Sequence, residues 1–353
     1  MGIEPASMTA VFCHNASDRK AETWRQQLLP LEHLEFALSD AAKGIAAAVE
    51  QVAEQRRQTD PSAPALEHGL DLFHTTQEAE RVLAQEWRRV ESLWEVGEAC
   101  DAKLEHAKSQ GIDARGPSQT ARAAWSKAIG EFEWVEALEA AWRRCRAALE
   151  MFHGDGQLNH RVRAEAEIAA GLGTLWGPEW KKVRNFLLDR RSLAFLDRMH
   201  QRLAEAEPRT QWRDVLVWRW WRLRHPAWAA NPLAAQVFAV ALQRPLEDAE
   251  QVAYDRIEAI LVSTFRASSA VECMNSVLRM QQSRHRRMTQ PMLDLKRLYW
   301  NCRPFRSGPR KNTSPYRALG LELPTFNFWN LLQSDPRELM QQLSTSGSEC
   351  SPA

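Results

Sequence analysis

Two short segments carry acids in settings that could support chemistry. Residues 265–279 (FRASSAVECMNSVLR) place one carboxylate, Glu272, at the start of a predicted helix and next to the most basic part of the chain. Far upstream, residues 34–40 (LEFALSD) predict a β-strand that ends in Asp40. Carboxylate oxygens are the ligands that Mg²⁺ prefers, and a few suffice because the ion keeps several waters. A metal-dependent enzyme that acts on phosphodiesters would need such a pattern, in which Glu272 holds a cation such as Mg²⁺ or Mn²⁺ and the arginines hold the nucleic-acid backbone. A Glu on a helix is more often only solvated, but the second acid, Asp40, favours the chemical interpretation.

The window 279–311 contains ten Lys or Arg residues and a single Asp, although the whole chain has a net charge of only +1. Such a stripe in a nearly neutral protein indicates an anionic partner at one face. A solvated helix face is the alternative, but one Asp leaves these cations few partners within the window.

Basic and amide side chains around Glu272 are candidates for contacts with a nucleic-acid backbone. Asn275 and Arg279 follow Glu272 by three and seven residues and so share its helix face. Contacts to phosphates do not read sequence, and they make affinity strongly dependent on salt. The predicted DNA contacts are Arg266, Asn275, Arg279, Arg284, Arg286, Arg287, Lys296 and Arg297.

Asp71 and His74 lie near the end of a predicted strand at 69–73. Asp71 could be an auxiliary carboxylate near the site, or a turn residue with no chemical role. His74 could orient a metal-bound water, or be a hydrogen-bonded core or edge histidine. The sequence leaves both alternatives open for each residue.

The chain divides into four regions by its sequence pattern. Residues 1–75 predict an α/β arrangement, with strands at 8–13, 34–38 and 69–73 and with helices after an N-cap at Ser17 or Asp18 and over 41–55. Residues 76–260 predict an all-helical block that begins with a long antiparallel hairpin, because apolar residues recur every three or four positions. Residues 261–335 return to short mixed elements, and 336–353 predict a disordered tail.

Twelve of the fifteen tryptophans lie in the helical block, at a spacing that favours core packing over base stacking. Residues 212–228 are the exception: arginine and tryptophan alternate there so densely that contact with a nucleic acid is an alternative to core packing. The six cysteines show neither a zinc-binding spacing nor a compact disulfide framework. No apolar run approaches the length of a membrane span. These features predict a cytoplasmic protein, associated with the nucleoid if its partner is DNA.

The order of the segments resembles that of the DDE transposases of bacterial insertion sequences. The resemblance implies a ribonuclease-H-like α/β catalytic domain with a large all-α insertion, mostly helical overall. It implies that Asp40 and Glu272 are the second and third catalytic acids, that two Mg²⁺ ions are bound, and that transposon ends and target DNA are the partners. The matching segments are GIEPASM, SDRKAETW, LSDAAKGI, LDLFHTTQEAERVL, RASSAVECMNSVLR and YWNCRPFRSGPRKNTSPYRALGL.

One part of the family pattern is missing from this sequence. The family has its first, bridging Asp on a central opening strand upstream of the segment that matches GIEP, and no acid between Met1 and Asp40 fits that role. We therefore expect an N-terminally truncated chain, with unpaired strand edges instead of a five-stranded sheet and with impaired DNA cleavage and strand transfer.

Two other functions are compatible with the sequence. The chain could be a non-catalytic DNA-binding remnant that pairs with a full-length transposase, or with itself, and inhibits transposition. It could also be a helical protein-interaction module, built on the Trp-rich region and unrelated to DNA.

Overall fold

The computed structural model describes residues 1–62, 64–154, 156–225, 244–267, 269–282, 288–308 and 310–346. Helix accounts for 66% and strand for 6%, which confirms the prediction of a mostly helical protein with a small β part. In these ranges no helix combines the length and the apolar character needed to cross a bilayer.

The chain separates into two compact units. The first unit comprises Met1–Ala37, Ala42–Glu67 and Ala267–Ala353, and the second unit comprises Leu38–Ala41 and His68–Arg266. Both boundaries of the second unit differ by several residues from the predicted limits of the helical block at 76 and 260.

A β-hairpin opens the first unit. Strand β1 (Gly2–Glu4) pairs antiparallel with β2 (Thr9–Phe12), so that Ile3 lies opposite Ala10. In the turn, the Glu4 carboxylate accepts hydrogen bonds from the backbone N–H groups of Ala6 and Ser7, at 2.8 and 2.7 Å. Strand β2 confirms the strand predicted at 8–13.

A second two-stranded sheet pairs β3 (Phe36–Ser39) with β4 (Glu67–Leu70). The Glu67 N–H donates to the Glu35 carbonyl and the Asp71 N–H to the Ser39 carbonyl, both at 2.8 Å. Because both bonds span the same number of residues, β3 and β4 run parallel. The strand predicted at 69–73 is wrong beyond Leu70, because Asp71 caps the next helix.

Helices α1 (Ala21–Leu28) and α2 (Lys43–Thr59) pack against each other in the first unit. The predicted N-cap of α1 is wrong: the cap position is Lys20, and Asp18 instead accepts from the Lys20 N–H and the Thr23 hydroxyl. At the start of α2 a side chain at Gly44 would place its Cβ 2.0 Å from the Arg19 carbonyl oxygen, so this approach requires glycine.

The second unit is built on the predicted helical hairpin, which is confirmed. Helix α3 spans Leu72–Ser109 and α4 spans Arg115–Ala148. They run antiparallel, since the Trp87 indole N–H donates to Glu139 near one end and the Trp125 indole donates to Asp101 near the other. Gly111, with φ +67°, turns the chain at the tip of the hairpin.

The remaining helices of the second unit pack with this hairpin around one apolar core. The prediction that the tryptophans pack in the core is confirmed for four of them, Trp142, Trp180, Trp220 and Trp221. Four other described tryptophans of this unit are exposed: Trp94, Trp134, Trp176 and Trp212. The elements are α5 (Arg161–Leu172), α6 (Lys181–Leu188), a 3₁₀ turn (Arg190–Leu193), α7 (Ala194–Ala206), α8 (Thr210–Arg224) and α9 (Asp248–Val262).

In the C-terminal part of the first unit, the described residues form five helices joined by loops, with one isolated bridge between Phe305 and Lys311. Its helices are α10 (Ser269–Gln282), α11 (Gln290–Cys302), α12 (Pro315–Ala318), α13 (Phe328–Gln333) and α14 (Pro336–Ser346). The prediction of a disordered tail is wrong for α14, which the Asp335 carboxylate caps by accepting from the Arg337 N–H at 2.8 Å. Residues 347–353 lie outside the described residues.

Side chains of α11 hydrogen-bond to the backbone of β2 as a neighbouring strand would. The Asn301 amide is 1% exposed; its Oδ1 accepts from the Ala10 N–H at 2.8 Å and its Nδ2 donates to the Ala10 carbonyl at 3.1 Å. The Arg297 guanidinium donates to the Val11 carbonyl at 2.9 Å, and the Trp300 indole to the Met8 carbonyl at 2.9 Å. These bonds fix the hairpin on α11.

Candidate functional site

Asp40 directly follows the last residue of β3 and is exposed. Its backbone carbonyl accepts a hydrogen bond from the Ser39 hydroxyl at 2.8 Å. The Ser39 Oγ also lies 2.8 Å from Nε2 of His68, on β4. The strand end that carries Asp40 is therefore held by the neighbouring parallel strand.

His68 extends this chain of hydrogen bonds into the helical part of the second unit. Its Nδ1 lies 3.2 Å from the Arg191 guanidinium, which is itself paired with the Asp189 carboxylate at 2.6 Å. A guanidinium only donates, so Nδ1 accepts and the ring proton lies on Nε2, from which it is donated to Ser39. Burial and the nearby Arg191 charge lower the pKa of His68 from 6.5 to about 4, which keeps the ring neutral.

The sequence gives no signal for this arrangement. Arg191 is 123 residues from His68, and neither residue belongs to a recognisable spacing motif. Only the parallel pairing of β3 and β4 brings His68 beside Ser39.

Glu272 lies in the first turn of α10, in the first unit, with its side chain 24% exposed. Asn275 Nδ2 donates to the Glu272 carboxylate at 3.2 Å, and an Arg279 nitrogen lies 3.7 Å from it. The prediction that Asn275 and Arg279 share the face of Glu272 is confirmed. Since Asp40 belongs to the second unit, a metal ion shared by the two acids stays a prediction.

Asp71 and His74 have structural roles that account for their positions. Asp71 is 2% exposed, and its carboxylate accepts from the Phe73 N–H at 2.9 Å as the N-cap of α3. His74 lies in the first turn of α3 and not at a strand end, because β4 stops at Leu70; its Nε2 is 3.7 Å from the Asp71 carboxylate. An auxiliary role for either residue stays a prediction.

Arg266 is held inside the second unit. Its guanidinium donates to the Leu149 carbonyl at 2.9 Å and to the Glu150 carboxylate at 2.6 Å, and it lies over the Phe195 ring. These contacts join the segment after α9 to the end of α4. They give Arg266 a packing role whether or not it also contacts DNA.

The basic window 279–311 divides into anchoring and exposed residues. Arg297 bonds to β2, and Arg310 donates to the carbonyls of Pro5 and Ala6 at 3.0 and 2.7 Å. Arg303, Arg306 and Lys311 are exposed, as is the Arg279 side chain. Lys296 is half-buried. Three of the predicted contacts, Arg284, Arg286 and Arg287, lie outside the described residues.

Carboxylates are suitable ligands for Mg²⁺, but two of them are few for a site that holds two ions. Asp40 and Glu272 supply carboxylate oxygens, which Mg²⁺ and Mn²⁺ accept as ligands. A two-metal centre holds its ions about 3.5–4 Å apart, and both ions need ligands. Nowhere in the described residues do three or more His, Cys, Asp or Glu side chains come close enough to hold a metal ion.

No protein-family model matches the sequence, and neither the curated proteins nor the solved structures contain a match.

Proposed function

We propose that this chain is a DDE-type transposase that binds DNA and whose DNA cleavage and strand transfer are impaired. One observation carries the proposal: the parallel strands β3 and β4 are joined through α2, and Asp40 directly follows β3. A long helical block then separates β4 from α10, whose first turn bears Glu272. This is the order of strand, acid, helical insertion and acid that the ribonuclease-H-like core of such enzymes uses.

The two small sheets also support the proposal. A ribonuclease-H-like sheet has an antiparallel hairpin on one side of its central strand and a parallel pair on the other. The antiparallel pair β1–β2 and the parallel pair β3–β4 have these two orientations. The two sheets of this protein therefore match a ribonuclease-H-like sheet in the relative direction of the strands within each pair.

The metal chemistry favours weak cleavage. In-line displacement at a phosphodiester by two Mg²⁺ ions requires ligands for both ions, and Asp40 and Glu272 offer one carboxylate each. Because no acid between Met1 and Asp40 fits the role of the bridging Asp, we propose a second candidate function, a non-catalytic DNA-binding protein. In that case the chain would act by pairing with an active transposase or with a second copy of itself.

Binding to DNA would come from the exposed cations of the first unit. Arg279, Arg303, Arg306 and Lys311 reach solvent and lie in a window with a single acid. Each phosphate neutralised by such a cation releases counterions, so affinity falls steeply as salt increases. Four contacts would weaken binding about a hundredfold between 50 and 200 mM salt.

The test is a salt titration of the whole chain with a fluorescent DNA duplex, followed by anisotropy. We expect the salt-dependent loss of affinity given above. Substitutions Asp40→Ala and Glu272→Ala should leave that affinity unchanged or raise it, because each removes a negative charge, and they should abolish any Mg²⁺-dependent cleavage. Asp113→Ala is the matched control, since Asp113 is an exposed acid at the tip of the helical hairpin.

Absence of salt-sensitive binding would contradict both candidate functions and favour a helical protein-interaction module. Cleavage that survives Asp40→Ala and Glu272→Ala would contradict the assignment of these acids while leaving DNA binding in place.

A further inference from the structure

Three aromatic rings of the first unit lie in contact at its surface. Tyr299 on α11 is 49% exposed and Trp329 on α13 is 66% exposed. Both meet the ring of Phe328 edge-on, with centroid distances of 5.4 and 5.0 Å. An exposed tryptophan and tyrosine joined through a third ring are costly to leave in water, which points to a binding surface.

Cations are frequent in the stretch of sequence that contains Tyr299. From residue 295 to residue 321 the chain has seven Lys or Arg residues and no acid. Arg303 is exposed directly after α11, where its backbone N–H donates to the Tyr299 carbonyl at 3.0 Å. The following loop folds back on α11 through the contact of Phe305 with Trp300, at 6.4 Å between ring centroids. This keeps the exposed Arg306 near the C-terminal end of the same helix.

Exposed aromatic rings beside arginines are the arrangement that binds unpaired nucleic-acid strands. Bases stack on the rings, and the cations follow the phosphates. A duplex hides its base faces in its own stack, so it could use the cations but not the rings. An apolar protein partner would cover the rings but would not neutralise the exposed Arg303 and Arg306.

We propose that Tyr299, Phe328, Trp329, Arg303 and Arg306 form an aromatic-cationic surface that binds single-stranded DNA. Tyr299 and Trp329 stack with unpaired bases, and Arg303 and Arg306 bind the adjoining phosphates. This inference depends on the proposed function for the identity of the partner as DNA, and it specifies the form of DNA that the surface binds.

The experiment compares an oligothymidylate of about 20 nucleotides, long enough for one binding site, with its duplex, both fluorescently labelled and titrated with the whole chain. We expect Tyr299→Ala and Trp329→Ala each to weaken single-strand binding about five- to a hundredfold, the range found when one stacked base is lost. Duplex affinity should change much less. Tyr299→Phe and Trp329→Phe keep a stacking ring and should retain most of the affinity.

The matched control is Trp176→Ala, because Trp176 is 64% exposed but lies in the second unit. It should bind the single strand like the unmodified chain. Circular dichroism of every variant checks that the helices are intact.

The outcomes separate this inference from the proposed function. If the alanine variants bind single strands normally while duplex binding stays salt-sensitive, the aromatic-cationic surface is overturned and the proposed function stands. If the chain binds neither DNA form, both are overturned. If it binds vesicles rich in phosphatidylserine through Tyr299 and Trp329 but no oligonucleotide, the surface is a membrane contact and the inference is wrong.

Discussion

The two units of this protein are stabilised in different ways. In the second unit, α3 and the helices that follow it share one apolar core, which includes Trp142, Trp180 and Leu196. In the first unit the buried apolar residues form two small separate clusters, one around Met274 and Leu293 and the other around Val49 and Val52. Apolar burial scales with area, so the second unit gains far more from it.

The first unit offsets this difference with polar contacts. Side chains of α11 bond to the backbone of β2, and Arg310 bonds to the turn before it. A two-stranded hairpin is at best marginally stable by itself, so these bonds hold it in place. The comparison teaches that loss of apolar volume should damage the second unit most, whereas loss of single polar groups should damage the first.

The largest expected effect tests the apolar side of the comparison. Leu196 is fully buried, and Leu196→Ala should lower the free energy of unfolding of the second unit by about 2–5 kcal/mol through lost burial and a cavity. Denaturant titration followed by circular dichroism measures it. Val162→Ala is the control, because Val162 is 75% exposed. Equal effects for the two variants would contradict a close-packed core.

A slightly smaller effect tests the polar side. Asn301→Ala leaves the Ala10 N–H and carbonyl without their partner, which should cost about 2–4 kcal/mol. Hydrogen exchange should show loss of protection at Ala10 and its neighbours in β2, with the second unit unaffected. Asn330→Ala, at an exposed position on α13, is the control. Unchanged exchange at Ala10 would show that α11 does not hold the hairpin.

The pH dependence of the second unit should come partly from His68. Its pKa is about 4 when folded and near 6.5 when unfolded, so below pH 6.5 the unfolded chain binds more protons. The contribution of His68 to the free energy of unfolding is fully present above pH 6.5. It should fall by about 2–3 kcal/mol as the pH drops to 4. His68→Gln lacks this titration, so the stability difference between the two proteins should depend on pH. A constant difference from pH 7 to 4 would contradict the assignment.

The smallest expected effect concerns Arg310. Arg310→Ala removes two hydrogen bonds to the carbonyls of Pro5 and Ala6, and it should destabilise the first unit by about 0.5–1.5 kcal/mol. Arg306→Ala is the control at an exposed position, where the change should stay within about 0.5 kcal/mol. Thermal unfolding measures both. If both variants lose the same amount of stability, the turn of the hairpin does not depend on Arg310.

The two units also differed in how well the sequence predicted them. The helical hairpin and the Trp-rich core followed from apolar periodicity, which is strong in long helices. Short elements are harder to place: the strand predicted at 69–73 lies too far along the chain, because Asp71 ends β4 by capping α3. The polar composition of residues 336–346 predicts disorder, whereas the structure has a helix over Pro336–Ser346.

The candidate site shows the same limit. Helical spacing placed Asn275 and Arg279 beside Glu272 correctly, because residues three and seven apart share a face. The contact of His68 with Arg191 depends on strand pairing and tertiary packing, which no local pattern encodes. The anchoring bonds of Arg297 went unpredicted because their acceptors are backbone carbonyls, which every residue has.

The tip of the α3–α4 hairpin has a practical consequence. Helix α3 has 38 residues, which at 1.5 Å per residue makes it about 57 Å long. At its far end, Gly111 has open space around it. Exposed loop tips of this kind accept inserted sequence, so an epitope or fluorophore placed between residues 110 and 114 should report on the protein in solution without disturbing β4, which lies at the other end of α3.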